Sequence, residues 1–179
     1  MDYERIWAPW RLSYIIGDAP SPEPTPQASL LPGGAAECFL CQAVAAGDDR
    51  QRLIVAGKGP SIALLNRYPY NNGHLLVAPQ RHVAQLDQLK ACEQLDVLET
   101  IARMIRLLDK VLKPEGYNVG LNLGRVAGAG LPGHLHWHIV PRWPGDTNFM
   151  PVLAGVRVIP QSLDALWQAL SQASNELPE

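Results

Sequence analysis

What this sequence lacks narrows it first. It has no basic surplus: 15 Lys and Arg stand against 17 Asp and Glu, for a formal net charge of −2. Nothing is left over to neutralise a phosphate backbone, so binding to long nucleic acid is not expected. A small nucleotide needs only a few local donors and stays open. No apolar run approaches the roughly 18 residues that suggest a membrane span, and no apolar signal core follows Met1-Asp2-Tyr3-Glu4-Arg5. The expectation is a soluble, cytoplasmic chain with no membrane partner. Cysteine is scarce, and three is an odd number for a disulfide framework. Two of the three, Cys38 and Cys41, have C-x-x-C spacing, which in a cytosolic protein points to metal or redox use.

What remains is a globular composition, 47% hydrophobic and 18% charged, in 179 residues with no internal repeat. That length fits one domain with a core of its own. Residues 1–36 read as a tryptophan-containing arm followed by a proline-rich surface loop. Trp7 and Trp10 flank Ala8-Pro9, and residues 18–36 hold five prolines. The arm is either a hydrophobic clasp or a stacking surface for a nucleotide.

After Cys38-Phe39-Leu40-Cys41 a short helix or turn is expected through Ala46. Strands are expected at 53–56, 61–66, 73–78 and 117–123. Those at 61–66 and 73–78 are apolar on both faces and belong in the middle of a sheet. Between 91 and 112, Leu95, Leu98, Ile101, Ala102, Ile105, Leu108 and Leu112 recur at three and four, predicting a long amphipathic helix stopped by Pro114 and Gly116. Cys92, near its start, reads as a small hydrophobe. Ser162 is the expected N-cap of a short C-terminal helix through Leu170. Strands in hairpin order around one long helix make this an α+β fold with a mainly antiparallel sheet.

The densest chemistry lies in His134-Leu135-His136-Trp137-His138-Ile139-Val140-Pro141-Arg142-Trp143, where three of the five histidines alternate with other residues. Alternation predicts a strand with all three imidazoles on one face, roughly 6.8 Å between successive ones. Three histidines in register are an expensive way to build a core. Two of them could share a catalytic zinc, but three so spaced span too far for one tetrahedral ion. Alternatively, a neutral imidazole attacks phosphorus and carries it as a phosphoramidate, while a second protonates the leaving oxygen.

For a metal, Cys38 and Cys41 offer two thiolates, with His82 and His134 as candidates to complete a structural Cys2His2 zinc set. Redox use competes, although no thioredoxin-like strand–C-x-x-C–helix context is evident. The glycine-rich loop 124–133 suits a phosphate, since its backbone can approach closely. It lacks the Gly-x-x-x-x-Gly-Lys of a P-loop.

His134-x-His136-x-His138-Ile139-Val140 resembles the signature of the histidine-triad (HIT) superfamily of nucleotide hydrolases and transferases. Trp7-Ala8-Pro9-Trp10-Arg11, Cys38-x-x-Cys41, Gly128-Ala129-Gly130 and Pro141-Arg142-Trp143-x-Gly145-Asp146-x-Asn148-Phe149 together resemble its bacterial diadenosine tetraphosphate (Ap4A) phosphorylase branch. The resemblance implies a HIT-like fold over 37–179, with a homodimer or higher homo-oligomer. It implies His136 as nucleophile, His138 at the α-phosphate and leaving group, and His74 in support. Asn66 would meet the ribose; Asn122, Gly128, Ala129 and Gly130 would line the phosphate site. Where the family holds zinc, the matching ligands are Cys38, Cys41, His82 and His134. The implied activity is cleavage of Ap4A by inorganic phosphate, with hydrolysis of Ap4A, Ap3A or another nucleotide conjugate as the alternative. A non-catalytic nucleotide-binding protein is the remaining reading. Many hydrolase branches carry Gln and then Ser or Thr just before the triad, whereas Gly130 and Leu131 stand here. That substitution is compatible with phosphate as the second nucleophile.

Overall fold

The two most uniformly apolar strands sit where their composition requires, inside a sheet. The computed structural model describes residues 29–46, 49–151 and 157–176; the expected tryptophan arm lies mostly outside them. The chain runs α1 (Phe39–Ala46), α2 (Asp49–Arg52), β1 (Ile54–Ala56), β2 (Ser61–Leu65), β3 (Leu75–Pro79), α3 (Ala91–Leu112), β4 (Gly116–Leu121), β5 (Trp137–Arg142) and α4 (Leu163–Asn175). The five strands form one sheet in the order β1-β2-β3-β5-β4. Every pairing in it is antiparallel. β2 and β3 are buried along their whole length, while β4 is an edge strand with Asn118, Val119 and Gly120 exposed.

Cross-strand register sorts the side chains onto two faces. Leu65, Leu75 and Ile139 stand opposite one another, as do Ala63 and Val77. They share a core with Met104, Leu107 and Leu108 of α3 and with Leu166 and Leu170 of α4. On the other face Leu64, Leu76 and His138 fall in register. Leu64 and Leu76 pack with Ile62, Ala78 and the α1 residues Leu40 and Ala43. Helices therefore cover one face of the sheet, and α1 covers part of the other.

Two expectations shift. β5 begins only at Trp137, so His134 and His136 lie in an irregular run before the strand. Leu135 N–H bonds Val83 O there at 2.8 Å, and the three histidines are not a regular ladder. In α3 the boundaries agree with the spacing, but the buried stripe does not. Val97, Thr100, Ile101, Met104, Leu107 and Leu108 face the core, whereas Leu95 and Leu98 are 58% and 60% exposed. Apolar residues occupy more than one stripe of this helix, and periodicity alone cannot choose between overlapping stripes. Cys92 is exposed rather than a packed hydrophobe.

Helix ends follow local chemistry. Ser162 Oγ accepts from Ala165 N–H at 3.3 Å, capping α4, which runs past Leu170 to Asn175. α3 ends with Lys113 in the left-handed region, its N–H on Leu108 O at 3.2 Å. Trp137 packs between the main core and the small cluster of Val83, Leu89 and Leu135. Its bulk is accommodated within the chain.

Candidate active site and metal centre

A backbone amide sets the tautomers of the site. Tyr70 N–H can only donate, and it bonds His74 Nδ1 at 3.0 Å. His74 Nδ1 is therefore an unprotonated acceptor, and Asn66 Nδ2 offers it a second donor at 3.3 Å. The proton of neutral His74 then sits on Nε2 and is donated to His138 Nδ1 at 2.9 Å. His138 in turn keeps its proton on Nε2. Burial holds His74 in this neutral form, pushing its pKa down to about 3, with the charges of His138, Arg157 and His136 adding to the effect.

The tautomer of His136 is fixed in the same way. A carbonyl oxygen only accepts, so His136 Nδ1–H donates to His134 O at 2.9 Å. Nε2 is left with its lone pair. Burial lowers the His136 pKa, partly offset by that hydrogen bond, which favours the neutral nucleophilic form. The rings of His136 and His138 are 5.2 Å apart. One bare nitrogen and one proton-bearing nitrogen thus belong to adjacent rings, the pairing that attack with leaving-group protonation requires.

The segment that holds His74 is anchored from below. Asp146 Oδ2 takes a hydrogen bond from Asn71 Nδ2 at 2.8 Å, and Arg142 bonds both carboxylate oxygens at 2.6 and 2.9 Å. The connection between β2 and β3 is thereby tied to the end of β5. Gly73 completes the tie: at φ +76°, a Cβ there would come within 2.5 Å of Leu112 Cδ1. An open cavity of about 700 Å³ lies beside His138, lined also by Asn118, Asn122, Tyr70 and Arg157.

Cys38, Cys41, His82 and His134 meet at the other end of the triad, their ligand atoms all within 4.8 Å of one another. Cys38 Sγ is 3.3 Å and Cys41 Sγ 3.6 Å from His134 Nδ1, and Cys41 Sγ is 3.2 Å from His82 Nδ1. A tetrahedral zinc with its usual bond lengths puts sulfur and nitrogen roughly 3.5 Å apart. The four side chains fit that ion. His134 Nε2–H donates to Pro79 O at 2.8 Å, leaving Nδ1 bare toward the thiols, the outer-shell contact that orients a metal-binding histidine. Arg81 forms a two-bond ion pair with Glu93 at 2.9 and 2.7 Å, which pins the residue before His82 to α3. Without an ion, burial pushes the Cys38 thiol up to about 12 and His134 down to about 4. Both shifts disfavour charge, and a bound cation reverses the balance for the thiol.

The expected residues therefore converge in two groups: His74, His136 and His138 with Asn66, and the Cys2His2 cluster. Asn122 lines the cavity. The glycine loop differs in detail. Gly128 N–H bonds Arg125 O at 3.0 Å and Ala129 N–H bonds Gly124 O at 3.3 Å, so anion binding by those two amides requires opening the loop's own bonds. Gly130 is exposed, and Leu131 packs into the apolar cluster beneath α1. Sequence reasoning missed Tyr70, Asp146 as an anchor, and Arg157. Asp146 had a signal, since it lies four residues after Arg142 across a turn; Tyr70 and Arg157 had none.

The HIT domain family matches residues 50–145, more than half of the chain. The chain belongs to that family of nucleotide-processing enzymes. Within it, the chain is 40% identical over 160 residues to the AP-4-A phosphorylase of Mycobacterium tuberculosis (strain ATCC 25618 / H37Rv), covering 89% of this chain and 78% of that protein. It is 28% identical over 134 residues to the adenosine 5′-monophosphoramidase hnt1 of Schizosaccharomyces pombe, covering 75% of this chain and 96% of the relative. Its fold is shared by a Zn-bound histidine triad family protein from Mycobacterium smegmatis, with a TM-score of 0.65 and 24% identity over 80% of this chain and 96% of that one. Among the described residues no helix is long and apolar enough to cross a membrane.

Proposed function

We propose that the protein is a dinucleoside polyphosphate phosphorylase, cleaving Ap4A with inorganic phosphate to ATP and ADP. The observation that carries this reading is the 40% identity to an AP-4-A phosphorylase across 89% of the chain. His136 Nε2 attacks the α-phosphorus, a P–N bond forms, and the bond to the bridging oxygen breaks. His138 Nε2–H supplies the proton to the departing ATP. His74 holds His138 in the required tautomer and does not itself touch substrate. A phosphate oxygen then attacks the same phosphorus, the P–N bond breaks, and ADP leaves as the phosphate's proton returns to His138. Asn66 and Asn122 are assigned to the nucleotide, with Gly128, Ala129 and Gly130 at its phosphates once the loop's own amide bonds open.

Cys38, Cys41, His82 and His134 would hold a structural zinc, whose closed shell leaves no open position for chemistry. The Zn-bound neighbour and the fit of the four donors support that assignment. We place the enzyme in the cytoplasm, where reduced thiols keep their ligating form. The exposed edge strand β4 supports a homodimer, since a bare sheet edge is a ready pairing surface. The arm at residues 1–36 is assigned as a separate segment ahead of the 37–179 domain.

A hydrolase is the second reading, favoured by the similarity to a phosphoramidase. Incubating the protein with Ap4A, with and without inorganic phosphate, separates the two. The expected products are ATP and ADP, formed only with phosphate. ATP and AMP, formed equally in both mixtures, would make it a hydrolase.

A further inference from the structure

One cation of the cavity is left unexplained by the triad and by every motif. Arg157 lines the cavity together with His138 and Asn122. Its guanidinium carbon lies 5.6 Å from the centre of the Tyr70 ring, and Nη1–H donates to the Tyr70 carbonyl. The Tyr70 ring stacks against His138 with centroids 5.7 Å apart. A fixed positive charge therefore sits about one aromatic ring from the histidine assigned to the leaving group.

Among the described residues two guanidiniums line this cavity, and their surroundings differ. Arg142 is neutralised by Asp146 through bonds of 2.6 and 2.9 Å. Arg157 has no carboxylate within ion-pair range among the described residues. A guanidinium carries five N–H donors in a rigid fork suited to phosphate oxygens, and a single carbonyl leaves most of them available. The charge is also near enough to contribute to holding His74 neutral. A cation against the wall of an open cavity, steered by an aromatic ring and uncompensated by any acid among the described residues, is built for an anionic ligand.

We infer that Arg157 binds the phosphates beyond the one His136 attacks, the triphosphate of the departing nucleotide. It is a specificity residue rather than a catalytic one. A substrate with a phosphate chain reaches it, whereas a nucleoside monophosphate held at His136 does not. The identity of the chain as part of a dinucleoside polyphosphate rests on the proposed function; the polyphosphate class rests on the cavity.

Calorimetric titration of the full chain with ATP and with AMP tests this directly. The wild type should bind ATP more tightly than AMP. Arg157→Gln should weaken ATP about tenfold or more, the scale of one charge-assisted contact, and AMP no more than about threefold. Arg157→Lys should restore most of the ATP affinity, because it keeps the charge. Equal weakening of both nucleotides would mean that Arg157 merely braces Tyr70, and an unchanged ATP affinity would also overturn the proposal. A protein that binds ATP through Arg157 yet gives no ATP and ADP from Ap4A would refute the phosphorylase and leave the subsite standing.

Discussion

Replacing His136 by Ala should lower turnover of Ap4A on the order of 10⁴-fold or more, because the variant lacks the atom proposed to take up the nucleotidyl group. ATP binding should fall far less, since the cavity at His138, Asn122 and Arg157 remains. Steady-state kinetics alongside the calorimetric titration would separate the two effects. Turnover within tenfold of wild type would remove His136 from the nucleophile's role. The pH profile carries a related signature. The proposed nucleophile must be neutral, and burial lowers the His136 pKa below the ordinary 6.5. The neutral form therefore persists as pH falls through 6.5, and the acid limb of the rate should lie below that value. Neutral His74 belongs to the same window. Its folded pKa of about 3 lies below the ordinary 6.5, so its contribution to stability is full above 6.5 and is lost as pH falls toward 3.

The second large effect concerns the cluster beneath the triad. Protein purified without added metal should contain close to one zinc per chain. Cys38→Ser should lose that zinc and lower the melting temperature by about 10 °C or more, since losing a structural metal belongs to the largest class of single-residue effects. Cys92→Ser is the matched control. Cys92 is exposed on α3 and is not one of the four cluster residues, so zinc content and melting temperature should not change. The link to function is geometric: His134 would be a ligand through Nδ1, and its own carbonyl fixes the tautomer of His136. Metal loss should therefore also disorder the nucleophile. Elemental analysis showing no zinc, with an unaltered melt in the Cys38 variant, would refute the assignment.

How much of this was legible in the sequence depends on the range of the forces involved. α3 was readable to its ends, because a helix is specified by local periodicity and by the Pro114–Gly116 stop. Its buried stripe was not, since Leu95 and Leu98 fit the period as well as Met104 and Leu107 do, and only the sheet decides among them. β2 and β3 announced central positions by being apolar on both faces. The start of β5 was misplaced because alternation from His134 onward looks the same whether the chain is paired or merely extended. Its bond to Val83 O comes from residues some fifty positions away. The triad and the Cys2His2 set were visible as residue types whose chemistry is costly to bury without a use. The tautomers were not, because they are set by the Tyr70 amide and the Pro79 carbonyl, groups every sequence has. Arg157 was invisible for a similar reason: its meaning comes from lacking a carboxylate partner among the described residues and from lying against Tyr70.

The central claim is that His136 carries the nucleotidyl group between two acceptors. Its most direct test is stereochemical. An Ap4A analogue with one sulfur at each α-phosphorus, both of known configuration, should be converted, with inorganic phosphate, to ADP bearing sulfur at its α-phosphorus. Two successive in-line displacements, at His136 and then at phosphate, predict retention of configuration at phosphorus. Inversion would mean that phosphate attacks the substrate directly, and the covalent account of His136 would be wrong.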